Sequence, residues 1–165
     1  MKNIILVGMP GCGKTTLGRR LAEKIGYGFV DSDSVIIARE GKALNEIIAE
    51  VGREGFLDIE AKVNMQLCAE RCIIATGGSV IYREEAVRKL KENGTVVYLK
   101  LAYDTVAARL GDLKKRGVAL KEGFTLKDLY DERTPLYEKY ADIIVELPQQ
   151  DKGASVDRIA RALGV

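Results

Sequence analysis

Eight consecutive residues near the start of the chain, Gly8 to Thr15, limit its possible folds more than any other segment. They read Gly-Met-Pro-Gly-Cys-Gly-Lys-Thr and match the pattern G-x-x-x-x-G-K-[ST] in full. The apolar run Ile4-Ile5-Leu6-Val7 precedes them, and a stretch with amphipathic helical spacing begins at Thr15. A plain glycine turn is the alternative interpretation, but a strand before the loop and a helix after it favour a phosphate-binding loop. The segment therefore predicts a nucleoside triphosphate site.

The residue types in this loop fit the binding of a triphosphate together with a metal ion. Glycines let the backbone turn tightly and bring its N–H groups close to the phosphates. Lys14 is expected to reach the β- and γ-phosphates, and the Thr15 hydroxyl is expected to bind Mg²⁺. The predicted nucleotide-binding residues of the loop are Gly11, Cys12, Gly13, Lys14, Thr15 and Thr16.

Apolar runs rich in β-branched residues recur along the chain and alternate with stretches of helical spacing. The runs are continuous, which is typical of strands buried on both faces of a parallel sheet. Alternating strands and helices predict an α/β, doubly wound fold with a parallel sheet of about five strands and helices on both faces. The predicted strands are Ile4–Val7, Gly28–Val30, Cys72–Ala75, Thr95–Leu99 and Ile143–Val145.

Length and composition limit the function classes. With 165 residues, 47% of them hydrophobic, the chain is expected to form one domain over residues 1–165. A net charge of +2 gives no case for a nucleic-acid partner, and no apolar run approaches the roughly 18 residues of a membrane span. We find no signal peptide and expect a cytoplasmic protein. The chain has no histidine, so a general base must be a carboxylate or a lysine.

Two acids follow the second predicted strand, at the edge of the sheet where ligands bind in doubly wound folds. They are Asp31 and Asp33, whereas the third strand carries no acid at its end. Two positions apart in an extended segment, both carboxylates would point the same way, one toward Mg²⁺ and one toward the proton of a substrate hydroxyl. The alternative is that Asp33 or Ser32 only caps the helix that follows.

Two further segments are candidates for contact with ligands. Gly77 and Gly78 follow the third strand, where bare backbone amides would meet a substrate group unless they form a plain turn. Residues 111–124 are basic, contain glycines and are poor in apolar side chains, which predicts a mobile lid that excludes water. Arg116 is our first candidate for a lid cation that stabilises charge on the γ-phosphate. A solvated charged loop is the alternative interpretation of this segment.

Several motifs occur in a fixed order along the chain. They are Gly8–Arg19, Phe29–Asp33, Glu50–Phe56 with Glu60, Ala75–Gly78, and Glu132–Tyr137 with Ala141 and Asp142. In this order they resemble the shikimate kinase family nearly from end to end. The resemblance implies a three-layer P-loop kinase fold with a mobile lid, usually monomeric. It also implies the transfer of the γ-phosphoryl group of ATP to the 3-hydroxyl of shikimate, a small-molecule substrate, with Mg²⁺.

The resemblance also assigns roles in the acceptor and metal sites. It makes Asp33 the carboxylate that contacts the substrate hydroxyl and acts as the base. Asp31 becomes the outer ligand of Mg²⁺, and Thr15 becomes the direct one. By the same resemblance, Gly78 donates its amide to the substrate and Arg133 binds the substrate carboxylate.

On the nucleotide side, the resemblance makes Arg116 the lid arginine and Arg109 the arginine that packs on adenine. The lid departs from the family pattern, because the usual Arg-Pro-Leu-Leu reads Arg-Gly-Val-Ala from position 116. The usual Gly-Gly-Gly after the third strand likewise reads Gly77-Gly78-Ser79.

A third departure concerns the acceptor. The family has Phe-Arg where this chain has Phe56-Leu57, and the missing arginine pairs with the shikimate carboxylate. Such a charge-assisted contact is worth about 1.5–3 kcal/mol, and leucine supplies none of it. Arg53, one helical turn earlier, is a candidate replacement. The alternatives are a kinase for another hydroxy acid, a nucleoside or a nucleotide, or a nucleotide-dependent switch, although the chain lacks the N-K-x-D segment of GTPases.

Overall fold

The computed structural model describes residues 2–110, 118–148 and 151–165. Five strands form one sheet in the order β2-β3-β1-β4-β5, and every neighbouring pair is parallel. The strands are β1 (Asn3–Val7), β2 (Gly28–Asp31), β3 (Cys72–Ala75), β4 (Gly94–Lys100) and β5 (Ile143–Glu146). The helices are α1 (Lys14–Ile25), α2 (Ser32–Glu40), α3 (Leu44–Met65), α4 (Glu84–Glu92), α5 (Tyr103–Arg109), α6 (Leu126–Tyr140) and α7 (Lys152–Leu163), with a short 3₁₀ helix at Val80–Tyr82.

The central strands are buried on both faces, as their continuous apolar sequences predict. All five residues of β1 are buried, and most of β4 is buried with them. Helices supply the cover, because α1 packs against β3 and α7, whereas α4 packs against β4 and α3. The predicted α/β fold with five parallel strands is confirmed. Among the described residues, no helix is both long and apolar enough to cross a membrane.

Helix α6 begins with a reciprocal capping interaction that fixes the first residue of the helix. The Thr125 hydroxyl accepts a hydrogen bond from the backbone N–H of Asp128 (3.1 Å), and the Asp128 carboxylate accepts one from the backbone N–H of Thr125 (3.0 Å). Such a pair satisfies two N–H groups that a helix start otherwise leaves without partners. The helix then runs through the segment Glu132–Tyr137 of the family resemblance, and its Arg133 and Tyr137 are buried.

Helix α3 consists of two segments that meet at Gly52. The backbone angles of this residue (φ 75°, ψ 176°) are not helical and favour glycine. The segment after Gly52 packs its apolar face into a second, smaller core beneath α2 and α3. The buried residues of this smaller core are Ile36, Ile47, Phe56, Leu57, Val63 and Ala119.

Candidate active site

The phosphate-binding loop, the start of α2 and the loop after β3 meet at one edge of the sheet. Strands β2, β3 and β1 are adjacent and parallel, so their carboxyl ends lie side by side. These segments enclose a cavity of about 290 Å³, which we call the acceptor cavity. The predicted site residues that line it are Gly11, Gly13, Lys14, Thr15, Thr16, Asp31, Asp33, Gly77, Gly78 and Arg133.

Lys14 lies inside the phosphate-binding loop rather than in solvent. Its side chain is buried, and its ammonium group donates hydrogen bonds to the backbone carbonyls of Gly8 (2.7 Å) and Met9 (2.9 Å). The buried Cys12 sulfur lies 3.6 Å from the same nitrogen. The loop therefore holds a partly desolvated cation at the wall of the acceptor cavity.

Asp31 joins the loop to the second strand and to the helix behind it. One carboxylate oxygen accepts hydrogen bonds from the backbone N–H groups of Asp33 (3.0 Å) and Ser34 (3.4 Å), which makes Asp31 the N-cap of α2. The other accepts a hydrogen bond from the Thr15 hydroxyl (3.2 Å). The alternative that Asp33 or Ser32 caps this helix is therefore wrong. The expectation of an extended Asp-x-Asp segment is also wrong, because α2 begins at Ser32 and Asp33 lies in its first turn.

The pair formed by Thr15 and Asp31 fits a magnesium ion that arrives with a nucleotide. Mg²⁺ prefers oxygen ligands and usually takes one or two from the protein, the rest being phosphate oxygens and water. The two side-chain oxygens lie 3.2 Å apart, so both can serve one ion, directly or through water. Within the described parts of the chain, no group of three or more Cys, Asp or Glu side chains would hold a metal without the nucleotide.

Asp33 faces the acceptor cavity with a perturbed acidity. Burial and, to a smaller extent, the negative charge of Asp31 raise the pKa of its carboxyl to about 6, against a lowering by Lys14. A group with such a pKa is ionised at neutral pH and still basic enough to take up a proton. A Cβ at Gly77 would lie only 2.7 Å from an Asp33 carboxylate oxygen, so the backbone approaches this acid as closely as glycine allows.

Arg133 also lines the acceptor cavity, beside Gly78. It is 1% exposed, and its guanidinium donates hydrogen bonds to the Tyr82 hydroxyl (3.3 Å) and the Ala119 carbonyl (3.1 Å). The guanidinium also lies 5.3 Å from the centre of the Tyr82 ring, a distance typical of cation–π contacts. Tyr137, one turn further along α6, donates a hydrogen bond of 2.5 Å to the carbonyl of Gly78. Helix α6 thus positions both the buried cation and the glycine loop.

A second cavity of about 370 Å³ lies beside the phosphate-binding loop and contains Arg109. Cys12 and the neighbouring loop residues line it together with Pro148 and Lys152. The Arg109 guanidinium lies 3.5 Å from the Gly11 carbonyl oxygen, at the end of α5. The loop is therefore shared by two cavities, one facing Asp33 and one facing Arg109.

The predicted lid lies partly outside the described residues. Arg116 and the rest of residues 111–117 belong to this part, and so does the expected contact of Arg116 with the γ-phosphate. The described end of the lid range reaches the acceptor cavity, since Val118 and Ala119 line it. Ala119 is buried and accepts the hydrogen bond from Arg133.

Leu57 does not line the acceptor cavity. It is fully buried in the smaller core beneath α2 and α3, where it packs with Phe56 and Ile36. The candidate replacement, Arg53, also lies outside the lining of the cavity. Its guanidinium lies 4.8 Å from the centre of the Tyr82 ring and 2.5 Å from the Glu54 carboxylate. Arg53 therefore contacts the tyrosine that holds Arg133, and it does not reach the cavity in this conformation.

Sequence reasoning missed two polar residues of the cavity as site residues. The sequence indicates Glu60 only as part of a motif and Ser79 only as a departure from a glycine, yet both line the cavity. The available signal was the charge of Glu60 on an otherwise apolar face of α3, four residues after Phe56.

The acceptor cavity combines a glycine-rich loop between β1 and α1, the carboxylate of Asp33 and the buried cation of Arg133. These features define a P-loop phosphotransferase. The comparisons with known proteins identify the group within this class. The chain belongs to the shikimate kinase family, which it matches over residues 10–164. The prediction of this family from the sequence motifs is confirmed. The chain is an ATP-dependent phosphotransferase that acts on a hydroxyl group and works with Mg²⁺.

Individual relatives support this assignment over nearly the whole chain. A shikimate kinase of Trichormus variabilis is 39% identical, covering 90% of this chain and 85% of its own length. One of Chromobacterium violaceum is also 39% identical, covering 98% and 89%. The structure resembles shikimate kinase of Acinetobacter baumannii in complex with shikimate, with a TM-score of 0.87, 33% identity and coverage of 99% and 93%.

Proposed function

We propose that this chain transfers the γ-phosphoryl group of ATP to the 3-hydroxyl of shikimate. The observation that carries the proposal is the convergence of Asp33 and Arg133 in a cavity that also contains Lys14. A basic carboxylate complements the reacting hydroxyl, a buried guanidinium complements the shikimate carboxylate, and the phosphate loop complements the triphosphate. The similar Acinetobacter baumannii enzyme was solved with shikimate, which supports the same acceptor.

The loop binds the triphosphate in this proposal. Its backbone N–H groups and the start of α1 surround the phosphates, and Lys14 exchanges its carbonyl partners for the β- and γ-phosphate oxygens. Thr15 would ligate Mg²⁺ directly and Asp31 would hold it through water, since their side-chain oxygens lie 3.2 Å apart. When bound, Mg²⁺ neutralises charge on the β- and γ-phosphates. Gly11, Cys12, Gly13 and Thr16 complete the nucleotide site of the loop.

Two arginines, Arg109 and Arg116, extend the proposed nucleotide site beyond the loop. Arg109 packs on adenine in the second cavity, where it lies beside the loop. Arg116 closes over the γ-phosphate from the lid, and its role rests on the family resemblance alone. Closure of such a lid excludes water, which protects ATP from hydrolysis.

The acceptor is held between Asp33 and Arg133. Arg133 pairs with its carboxylate, and the backbone amides of Gly77 and Gly78 bind the reacting end. Asp33 takes the proton from the 3-hydroxyl as the new O–P bond forms, and the bond from the γ-phosphorus to ADP breaks. Because Asp33 is already desolvated, its proton affinity matches this step at neutral pH.

A different hydroxy acid is the second candidate acceptor, and the small number of cations in the acceptor cavity favours it. Of the described residues that line the acceptor cavity, only Lys14 and Arg133 carry a positive charge. One guanidinium is therefore available for the acceptor carboxylate where the family usually provides two. An acceptor with an apolar flank would fit such a site better than one that needs two arginines.

The test of the proposed function is a screen of acceptors with coupled detection of ADP. We expect shikimate to release ADP well above the rate of ATP hydrolysis alone, and other hydroxy acids, nucleosides and nucleotides to stay near that background. No shikimate-dependent ADP would contradict the proposal. Release with a different hydroxy acid would establish the second candidate instead.

The pH dependence of the reaction is expected to follow the ionisation of Asp33. Since burial raises its pKa to about 6, kcat/KM for the acceptor should rise with pH through a midpoint near that value. Below the midpoint Asp33 is protonated and does not accept the hydroxyl proton. Initial rates at saturating ATP, measured across the range around the midpoint, test this. A midpoint at the ordinary aspartate value of 3.8 would contradict a base of raised pKa.

We also propose a cytoplasmic monomer with one domain over residues 1–165 and without nucleic-acid or membrane partners. The family resemblance supports the monomer, and the net charge of +2 supports the absence of a nucleic-acid partner. Light scattering of the purified protein at several concentrations tests the oligomeric state.

A further inference from the structure

Tyr82 contacts the acceptor arginine, Arg133, from outside the acceptor cavity. It ends the short 3₁₀ helix after β3, is half-buried, and is not among the described residues that line the cavity. Its hydroxyl accepts a hydrogen bond of 3.3 Å from Nε of Arg133, and its ring centre lies 5.3 Å from the guanidinium carbon. The proposed reaction gives this tyrosine no role of its own.

The three nitrogens of the Arg133 guanidinium have different surroundings. Nε donates to the Tyr82 hydroxyl, and Nη2 donates a hydrogen bond of 3.1 Å to the Ala119 carbonyl. Nη1 lies beside the glycine loop, since a Cβ at Gly78 would be only 2.8 Å from it. Because the guanidinium is planar and rigid, the hydrogen bonds at Nε and Nη2 fix the orientation of the whole group. They therefore determine that Nη1 is the nitrogen presented at Gly78, in the wall of the acceptor cavity.

Glu132 keeps the Tyr82 hydroxyl in the right state to accept from Arg133. Burial raises the pKa of Glu132, but hydrogen bonding with the Tyr82 hydroxyl and with Lys121 outweighs it, so the pKa lies below its ordinary value. The Lys121 ammonium lies 3.1 Å from the Glu132 carboxylate. Glu132 is therefore ionised at neutral pH and attracts the phenolic proton of Tyr82. With that proton engaged, the lone pairs of the phenolic oxygen are free to accept from the guanidinium.

The ring of Tyr82 is restrained as well as its hydroxyl. The guanidinium carbon of Arg53 lies 4.8 Å from the ring centre, within the range of cation–π contacts. Arg53 is held in turn by the Glu54 carboxylate, at 2.5 Å. A ring that packs against Arg53 keeps its hydroxyl in one place, which the hydrogen bond to Arg133 requires.

We propose that Tyr82 is the positioning residue of the acceptor arginine and orients Arg133 so that Nη1 meets the acceptor carboxylate. The inference rests on the proposed function, in which Arg133 binds the carboxylate of shikimate. Among the described residues that line the acceptor cavity, only Lys14 and Arg133 carry a positive charge, and Lys14 serves the phosphates. The carboxylate therefore depends on one guanidinium, and Tyr82 makes the chain selective for acceptors that carry a carboxylate.

The test removes only the Tyr82 hydroxyl and compares two acceptors. We expect Tyr82→Phe to raise the KM for shikimate about three- to tenfold, the size of one lost hydrogen bond, with kcat and the KM for ATP unchanged. Phenylalanine keeps the ring and its contact with Arg53. With the methyl ester of shikimate, which has no carboxylate, wild type and Tyr82→Phe should have similar KM values. A merely structural role of the tyrosine would affect both acceptors alike.

Two further variants isolate the route through Arg133. In an Arg133→Met background, Tyr82→Phe should cause no further increase in the KM for shikimate, because both changes act on the same contact. Tyr27→Phe is the matched control, since Tyr27 is a half-buried tyrosine whose ring centre lies 5.6 Å from the guanidinium carbon of Arg71, just before β2. It should leave both KM values unchanged. Thermal unfolding of each variant checks that it is folded.

Failure of this inference differs from failure of the proposed function. If wild type phosphorylates shikimate and folded Tyr82→Phe keeps the wild-type KM, the role of Tyr82 is overturned while the function stands. An increase of the same size with the methyl ester also overturns it, since Tyr82 would then act without the carboxylate. So does a further increase in the Arg133→Met background. If wild type makes no phosphorylated shikimate, the proposed function is overturned and this inference with it.

Discussion

Replacing Asp33 with asparagine is expected to lower kcat by about 10²- to 10⁴-fold, the range that general base catalysis contributes. Asparagine has nearly the same shape and keeps the backbone N–H that donates a hydrogen bond to the Asp31 carboxylate. Its side chain cannot take up the hydroxyl proton. Because Asp33 faces the acceptor cavity, ATP affinity should stay close to that of wild type. Steady-state kinetics with shikimate and a separate titration with ATP measure both quantities.

The matched control for this change is Asp58→Asn on the surface of α3, where the carboxylate pairs with Arg83. We expect kcat and both KM values of the control to equal those of wild type. An Asp33→Asn protein that binds ATP normally and transfers as fast as wild type would remove Asp33 from the mechanism. A loss of ATP binding instead would place its carboxylate in the metal site with Asp31.

Replacing Arg133 with methionine is expected to raise the KM for shikimate roughly 10- to 100-fold, since a charge-assisted contact with a carboxylate is worth about 1.5–3 kcal/mol. Methionine preserves much of the buried volume, whereas the hydrogen bonds to Tyr82 and Ala119 are lost. The KM for ATP should change little, because no predicted nucleotide contact involves Arg133. Initial rates over a wide range of shikimate concentrations measure the effect.

The control for Arg133→Met is Arg88→Met on α4, where the arginine is exposed and pairs with Glu84 one helical turn earlier. It should leave both KM values unchanged. Unfolding curves of Arg133→Met are needed beside the kinetics, because the buried guanidinium also supports the core. A variant that is folded and loses ATP affinity while the KM for shikimate is unchanged would move Arg133 out of the acceptor site.

The sequence was sufficient for the parts of the fold that depend on local pattern. Continuous apolar runs located all five strands, since strands covered on both faces tolerate few polar residues. The spacing of the phosphate-binding loop, together with the strand pattern before it and the helix pattern after it, predicts the site, because glycines, Lys14 and Thr15 act at fixed offsets. The sequence also identifies the acids Asp31 and Asp33, but it predicts an extended segment through Asp33, whereas α2 already begins at Ser32.

The parts that were missed depend on contacts between distant segments. Glu60 and Ser79 lie 19 residues apart and form a hydrogen bond only after α3 has packed beside the loop that follows β3. In the sequence, Leu57 stands where the family has an arginine that binds the acceptor, which suggests that Leu57 lies in the acceptor site. The kink at Gly52 and the packing of α3 instead place its side chain in the smaller core. No local pattern encodes either arrangement, because both follow from tertiary packing.

The central claim, transfer to the 3-hydroxyl of shikimate, is tested most directly by the position of the phosphate in the product. The purified protein is incubated with ATP, Mg²⁺ and shikimate, and the product is analysed by ³¹P NMR with correlation to the ring protons. We predict one phosphomonoester, coupled to the proton on carbon 3 and formed in equal amount with ADP. A phosphate coupled to another ring proton, or inorganic phosphate as the only product beside ADP, would contradict the account.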